Sequence, residues 1–157
     1  MSEKLTSGSK FPEMSVNLVG GGEITLPIDM DGNYNVVLFY RGHWWPYCRR
    51  QLVGFENESA ELDSRNIKVF ATSVDTEDNA KIVADEVSFP VGFGAGELHR
   101  DLMGSWWEDR RGLIQPSEFI LDGQGKVIMS SYSSGPLART EAKDVIKMID
   151  FLESNKK

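Results

Sequence analysis

The chain contains 157 residues, of which 40% are hydrophobic and 26% are charged, and its formal net charge is −7. This composition is typical of a globular protein, and the length predicts one domain over residues 1–157. The negative charge argues against a general affinity for nucleic acid or for an anionic membrane, because phosphate binding needs a positive field. Residues 1–11 hold no apolar run that would indicate a signal peptide or a spanning helix, so we predict a cytoplasmic protein.

The first predicted elements are a hairpin, a buried strand and a helix. Apolar residues at 16–19 and 23–26 flank three glycines, which predicts a small hairpin at an edge of the fold. The run 35–40 is β-branched and aromatic without polar alternation, which predicts a strand in the interior of a sheet. Residues 46–62 begin with a proline and carry apolar side chains at helical spacing, which predicts a helix.

The rest of the chain continues with strands and helices of ordinary length. A strand at 66–72 and a helix at 76–87 form a right-handed βαβ unit with the earlier strand, so the two strands should be parallel. The turn from the first strand into its helix then lies at the carboxyl edge of the sheet, where sites usually form. The remaining predictions are a loop at 89–96, a short helix within 97–107, an antiparallel hairpin at 117–121 and 126–130, and a helix at 140–152.

The turn from strand to helix, residues 40–50, has the sequence Tyr-Arg-Gly-His-Trp-Trp-Pro-Tyr-Cys-Arg-Arg. Aromatic side chains are costly to expose, so this loop should pack tightly or line a concave apolar surface. Cys48 is the one cysteine, in the first turn of the predicted helix, where the helix dipole with Arg49 and Arg50 would favour a thiolate. The alternative is a small buried apolar side chain, and the local residues leave both roles open.

The lone cysteine and the two histidines limit the chemistry that the chain can perform. A single thiol cannot form an intrachain disulfide, so a redox cycle needs a sulfur from another molecule. His43 and His99 stand far apart in the sequence and no ligand spacing surrounds them, so we predict no metal site. We also predict no cofactor.

Residues 36–48 resemble the strand-and-loop signature of peroxiredoxin-like proteins, the alkyl hydroperoxide reductase/thiol-specific antioxidant family of the thioredoxin superfamily, whose loop has the sequence Trp-Cys-Pro-Tyr-Cys. Residues 73–80 and 119–127 extend the similarity, which covers about 11–152. The resemblance implies an α/β, thioredoxin-like fold with a central mixed β-sheet flanked by helices and an N-terminal β-hairpin. It also implies a thiol-dependent peroxidase or disulfide oxidoreductase. The implied partners are a small peroxide or disulfide substrate, an external thiol reductant such as a thioredoxin or glutathione, and a second copy of the chain in a homodimer.

The resemblance also implies roles for individual residues. Trp45 stands where the family has its reactive cysteine, Cys48 matches the cysteine that resolves it, and Gly42 stands where the family has a threonine. Any activity therefore falls to Cys48 alone. Arg41 is a candidate for holding an anion, and a solvent-facing or carboxylate-paired arginine is the alternative. The predicted substrate-binding residues are Trp44, Pro46, Tyr47, Gln115 and Pro116.

Pro116 matches the position of the cis-proline that faces the active-site loop in thioredoxin-fold proteins, so a cis Gln115–Pro116 bond is predicted; the alternative is an ordinary trans proline at the start of a strand. A second function stays open beside the enzymatic one. In it, Trp44, Trp45, Tyr47 and Pro116 form an aromatic cleft that binds a peptide or another ligand without chemistry.

Overall fold

The computed structural model describes residues 3–156, which form five helices and nine strands within that range. In chain order they are β1 (Met14–Leu18), β2 (Glu23–Leu26), β3 (Tyr34–Phe39), α1 (Pro46–Asn57), α2 (Ser59–Ser64), β4 (Ile67–Thr72), α3 (Glu77–Ala84), β5 (Gly92–Phe93), α4 (Glu97–Met103), β6 (Trp107–Glu108), β7 (Leu113–Ile114), β8 (Ser117–Asp122), β9 (Val127–Tyr132) and α5 (Ala142–Ser154).

The central sheet has the strand order β4-β3-β8-β9. All six residues of β3 are buried, and this strand is parallel to β4 and antiparallel to β8. The predictions of an interior strand, of a parallel β3–β4 pair and of an antiparallel β8–β9 hairpin are therefore confirmed. An unbroken apolar run suits such a strand because both of its faces are covered.

Each face of the central sheet packs against its own apolar layer, because successive side chains of a strand point to opposite sides. On one face, Val36 and Leu38 pack in a layer to which α1 and α5 contribute. On the other face, Val37 and Phe39 pack with residues from the N-terminal hairpin and α4. The mixed α/β architecture with an N-terminal hairpin thus agrees with the sequence prediction.

Several element boundaries differ from the predicted ones. The hairpin of β1 and β2 forms as expected, but β5, inside the predicted loop 89–96, pairs with β1 as a third strand. The predicted helix 46–62 is divided at Glu58, which leaves the helical conformation at φ −100° and ψ 17°. The helix within 97–107 ends at Gly104, whose φ of 72° is readily available to glycine. The pair β6–β7 was not predicted, because two-residue strands carry no periodicity.

The prediction of a cis bond between Gln115 and Pro116 is wrong. That bond is trans, and the cis X–Pro bond of the described chain lies between Leu26 and Pro27. The Pro116 carbonyl accepts a hydrogen bond from the Ser133 N–H at 3.0 Å, which extends the β8–β9 ladder by one pair. Pro116 is therefore an ordinary proline at the start of a strand, where the intrinsically preferred trans form fits.

Between residues 3 and 156, none of the helices combines the length and the apolar character that crossing a lipid bilayer requires. The cytoplasmic location stays a prediction.

Candidate functional site

The candidate site lies at the carboxyl end of β3, where the chain turns into α1. Trp45 is the residue before the helix, with φ −89° and ψ 115°, and Pro46 is its first residue. Proline suits this position because the first N–H groups of a helix have no partner within the helix. Cys48 follows in the first turn, and its N–H donates to the Trp45 carbonyl at 3.0 Å.

The Cys48 sulfur is fully buried and receives two polar contacts. The Arg41 backbone N–H and the Arg139 Nη2 both lie 3.2 Å from Sγ. The sequence predicted Arg49 and Arg50 as the cations near the thiol. Instead, Arg49 pairs with Glu86, and the Arg50 guanidinium lies 5.2 Å from the centre of the Tyr47 ring. The cation at the thiol comes from a residue 91 positions further along the chain, and no local signal in the sequence indicated it.

Arg41 is a buried arginine that is tied to the site on several sides. Its Nε donates to Gln115 Oε1 at 3.1 Å, and its Nη2 lies 3.7 Å from Glu108 Oε1. The guanidinium carbon is 5.0 Å from the centre of the Trp45 ring. Burial lowers the pKa of Arg41, while the nearby Cys48 and Glu108 raise it. Arg41 is therefore paired with a carboxylate, which is the alternative that the sequence had left open. Its hydrogen bond to Gln115 places that residue beside the site.

The aromatic residues of the loop form one contiguous cluster. The ring centres of Trp44 and Trp45 are 5.6 Å apart, and those of Trp45 and Tyr47 are 5.7 Å apart. Trp44 is 40% exposed and Tyr47 is 43% exposed, and Pro46 between them is also exposed. The three aromatic side chains of the loop are thus adjacent and partly exposed, and their role in binding stays a prediction. Pro116, which the sequence assigned to the same surface, is buried at the start of β8.

Residues 133–139, here called the covering segment, cross the site between β9 and α5. The Trp45 Nε1 donates to the Pro136 carbonyl at 3.0 Å, and the Gln115 Nε2 donates to the Ser134 carbonyl at 3.3 Å. Arg139, at the end of the segment, reaches the Cys48 sulfur. Because this sulfur has no exposed surface, a reactant reaches it only when part of this cover moves.

Asp75 and His43 form a second set of polar contacts at the same turn. Asp75 Oδ2 accepts the His43 backbone N–H at 2.8 Å, and Asp75 Oδ1 lies 3.3 Å from His43 Nδ1. Space is tight here, because a Cβ on Gly42 would lie 3.2 Å from Asp75 Oδ1 and 2.9 Å from Trp44 Nε1. Nearby, burial raises the pKa of the Tyr40 hydroxyl. These contacts fix the backbone of the turn that carries Trp44 and Trp45.

Comparison with known proteins identifies the family. The model of the AhpC/TSA family matches residues 7–130. A peroxiredoxin of Treponema denticola is 22% identical over 158 residues, which cover 96% of this chain and 74% of that protein. An alkyl hydroperoxide reductase C of Mycolicibacterium smegmatis is 22% identical over 176 residues, covering 96% of this chain and 86% of that protein.

Solved structures share the fold. Mycobacterium tuberculosis AhpC superposes with a TM-score of 0.77 at 19% identity, covering 96% of this chain and 99% of that one. A yeast mitochondrial 1-Cys peroxiredoxin superposes with a TM-score of 0.82 at 19% identity, covering 97% of this chain and 78% of that one. The fold is therefore thioredoxin-like, as in the peroxiredoxins, and the chain belongs to the AhpC/TSA family.

Proposed function

We propose that this protein is a thiol-dependent peroxidase whose reacting group is the Cys48 sulfur. The observation that carries the proposal is the environment of that sulfur. It lies in the first turn of α1 and accepts contacts from one backbone N–H and one guanidinium. Both donors stabilise a thiolate more than a neutral thiol, because a negatively charged sulfur is the better acceptor. The family comparison supports the same class of reaction.

The reaction begins with attack of the Cys48 thiolate on one oxygen of a peroxide. A sulfur–oxygen bond forms and the oxygen–oxygen bond breaks, so the sulfur is oxidised to a sulfenic acid and the peroxide is reduced. The leaving oxygen departs with the electron pair and takes up a proton to become water or an alcohol. Arg139 brings positive charge, and the Arg41 backbone N–H brings a donor, to the sulfur where the reaction takes place, which is the usual route of electrostatic catalysis.

The sulfenic acid must be reduced by a thiol from another molecule, because the chain contains one cysteine. An external thiol condenses with the sulfenic acid, forming a mixed disulfide and releasing water, and a second thiol then releases Cys48 by exchange. In the yeast mitochondrial 1-Cys peroxiredoxin, the thiol resolving mechanism runs via glutathione/thioredoxin systems. We propose the same class of reductant here.

Position 48, rather than position 45, is the site of chemistry in this proposal. Trp45 packs against the apolar layer and binds the Pro136 carbonyl, so its side chain has a structural role at the helix start. The Cys48 sulfur is the nucleophile that the two donors contact. That Trp45 stands in the place of a lost reactive cysteine stays a prediction from the family resemblance.

The direct test uses Cys48→Ser. Purified wild type should consume hydrogen peroxide with dithiothreitol as the reductant, and mass spectrometry should show a dimedone adduct on Cys48 after one equivalent of peroxide. The serine variant should show neither, while keeping the circular dichroism of the wild type. A wild-type thiol that reacts no faster than about tenfold above free cysteine would refute the proposal, because the environment would then provide no more than about 1.4 kcal/mol.

A second function is favoured by one observation, the exposure of Trp44 and Tyr47 in a connected aromatic cluster. Such a surface suits the binding of an apolar peptide or ligand. The two functions separate with the same variant. Cys48→Ser would abolish peroxide consumption and leave binding at the cluster intact, whereas Trp44→Ala would weaken binding.

A further inference from the structure

A buried carboxyl group lies in the sheet behind the Cys48 site. Glu118, in β8, is opposite Leu38 of β3 and is 3% exposed. Side chains alternate along a strand, so Glu118 shares the face of Ile120, which packs in the same apolar layer as Cys48. A carboxyl group in such a layer is costly to bury unless other polar groups bind it. Its presence therefore needs a physical reason.

Glu118 fixes the backbone that follows the covering segment. Its Oε1 accepts a hydrogen bond from the Thr140 N–H at 2.8 Å. From the other side, the Gln51 Nε2 donates to the Thr140 carbonyl at 2.8 Å. Both polar backbone groups of Thr140 are thus held by buried side chains from β8 and α1. Two residues earlier, Ala138 has a φ of 72°, a conformation that a non-glycine residue keeps only where its surroundings hold it.

Arg139 connects this arrangement to the thiol. It lies between Ala138 and the fixed Thr140, and its Nη2 contacts the Cys48 sulfur at 3.2 Å. Its Nε and the Glu118 Oε2 are both buried, and neither has a hydrogen-bond partner among residues 3–156. Burial raises the pKa of Glu118, and the positive charge of Arg139 acts in the opposite direction. The thiol therefore contacts the Arg139 guanidinium directly, and the Glu118 carboxyl acts on the same cation electrostatically from beyond hydrogen-bond distance.

We propose that Glu118 is a positioning residue for the Cys48 sulfur: it holds Arg139 against the sulfur through Thr140, and its charge sets how much of the positive field of Arg139 acts there. When Glu118 is neutral, the guanidinium acts on the thiolate undiminished. When Glu118 is ionised, carboxylate and thiolate compete for the same cation. The inference rests on the proposed function for its biological purpose, whereas the coupling itself concerns any reaction of the thiolate.

The surroundings of Glu118 make Arg139 the cation through which this coupling runs. The residues paired with Glu118 on the neighbouring strands carry no ionisable group. The groups that face it are Leu38 of β3, Ser131 of β9, Gln51 of α1, Arg139 of the covering segment, and Thr140. Cys48 is the group that Arg139 contacts in turn.

The test compares Glu118→Gln with Glu23→Gln, which makes the same chemical change at an exposed position of β2. Glutamine keeps an oxygen that can accept the Thr140 N–H but cannot ionise. The readout is the rate of Cys48 alkylation by iodoacetamide as a function of pH, followed by mass spectrometry of the intact protein. We expect Glu118→Gln to move the half-maximal rate to lower pH by about one unit, the effect of one nearby charge in a shielded site, and Glu23→Gln to leave it in place.

A double-mutant cycle shows whether the effect passes through Arg139. In the Arg139→Met background, Glu118→Gln should move the alkylation profile by less than about a third of its shift in the wild type, because neighbouring sites that share a partner are not additive. Superimposable profiles of Glu118→Gln and wild type would overturn the proposal. An equal shift of the alkylation profile by Glu118→Gln in the wild-type and Arg139→Met backgrounds would also overturn the proposal.

A third variant, Glu118→Leu, removes the hydrogen bond to Thr140 as well as the charge. We expect its reaction with hydrogen peroxide to be about tenfold slower than that of Glu118→Gln, since loss of one bound group is typically worth about a factor of ten. If circular dichroism shows that this variant does not fold, the alkylation profile of Glu118→Gln alone tests the role of Glu118. A wild type that is alkylated by iodoacetamide but does not reduce peroxide would refute the proposed function. The alkylation profiles would still test whether Glu118 positions the Cys48 sulfur.

Discussion

Replacing Arg139 by methionine should slow the oxidation of Cys48 by hydrogen peroxide about 10- to 150-fold. The Nη2 of Arg139 lies 3.2 Å from the sulfur, and methionine fills a similar volume without charge or donor. A hydrogen bond to a charged group contributes about 1.5–3 kcal/mol, which gives that range of rates. The reaction should not be abolished, because the Arg41 backbone N–H, also 3.2 Å from the sulfur, remains in place.

Arg49→Met is the matched control for this prediction. Arg49 is next to Cys48 in the chain, but its side chain pairs with Glu86. We expect its removal to change the rate less than about threefold, because exposed charges are screened by solvent. The assay is the second-order rate of peroxide oxidation, followed by dimedone trapping at several peroxide concentrations. If Arg139→Met reacts as fast as the wild type, or if Arg49→Met is slowed equally, the sulfur is activated by general positive charge and not by the observed contact.

Three further changes test the site and the fold. Trp45→Cys should form a disulfide with Cys48 under mild oxidation, since residues three apart at a helix start lie within the required Cα separation; a free-thiol assay that still counts two thiols would contradict this. Burial raises the native pKa of Glu118, so between the unfolded and native values the folded state holds a proton that the unfolded state has lost, and stability falls as pH rises. The melting temperature of Glu118→Gln relative to wild type should therefore be higher at pH 7 than at pH 4, and a constant difference would be evidence against the shift. Gly92→Ala should lose about 1–3 kcal/mol of unfolding free energy, because its Cβ would lie within 2.6–2.8 Å of buried side chains, whereas Gly54→Ala in α1 meets nothing within 4 Å and should gain about 0.5–1 kcal/mol; denaturant titrations that rank the two variants in the reverse order would contradict the packing.

The sequence predicted the fold where a physical rule acts locally and failed where tertiary contacts decide. The run at β3 is apolar on both faces, so its interior position followed from composition alone. The β8–β9 hairpin followed from its turn residues. In contrast, β5 is two residues long and exists because β1 offers it an edge, which no local pattern records. The Gln115–Pro116 bond was predicted from resemblance rather than from the residues, and the strand ladder there accommodates the trans form.

The residues of the candidate site also differ in whether the sequence could predict them. The motif located Cys48, the aromatic cluster and the start of the helix, because these are consecutive residues whose positions follow from one strand and one turn. Arg139, Glu118 and the covering segment come from distant parts of the chain, and their own sequences are ordinary. A glutamate in a strand and an arginine before a helix become informative only when the sheet register, the burial of Glu118 and the contact of Arg139 with the sulfur are known.

The cover over Cys48 sets a condition that any function of this thiol must meet. The hydrogen bonds from Trp45 to the Pro136 carbonyl and from Gln115 to the Ser134 carbonyl hold the middle of the covering segment in place. Arg139, at the end of the segment, must keep its contact with the sulfur in the reacting state. At about 0.5–1.5 kcal/mol for each of these two neutral bonds, opening costs roughly 1–3 kcal/mol. The sulfur is then accessible in about one molecule in five to one in 150. Lid motions span microseconds to seconds, and opening at the faster end of that range would occur many times within one turnover of a typical enzyme. The cover therefore lowers the effective reactivity of the thiol by the open fraction, and the donors at the sulfur must provide at least that factor for Cys48 to react faster than free cysteine.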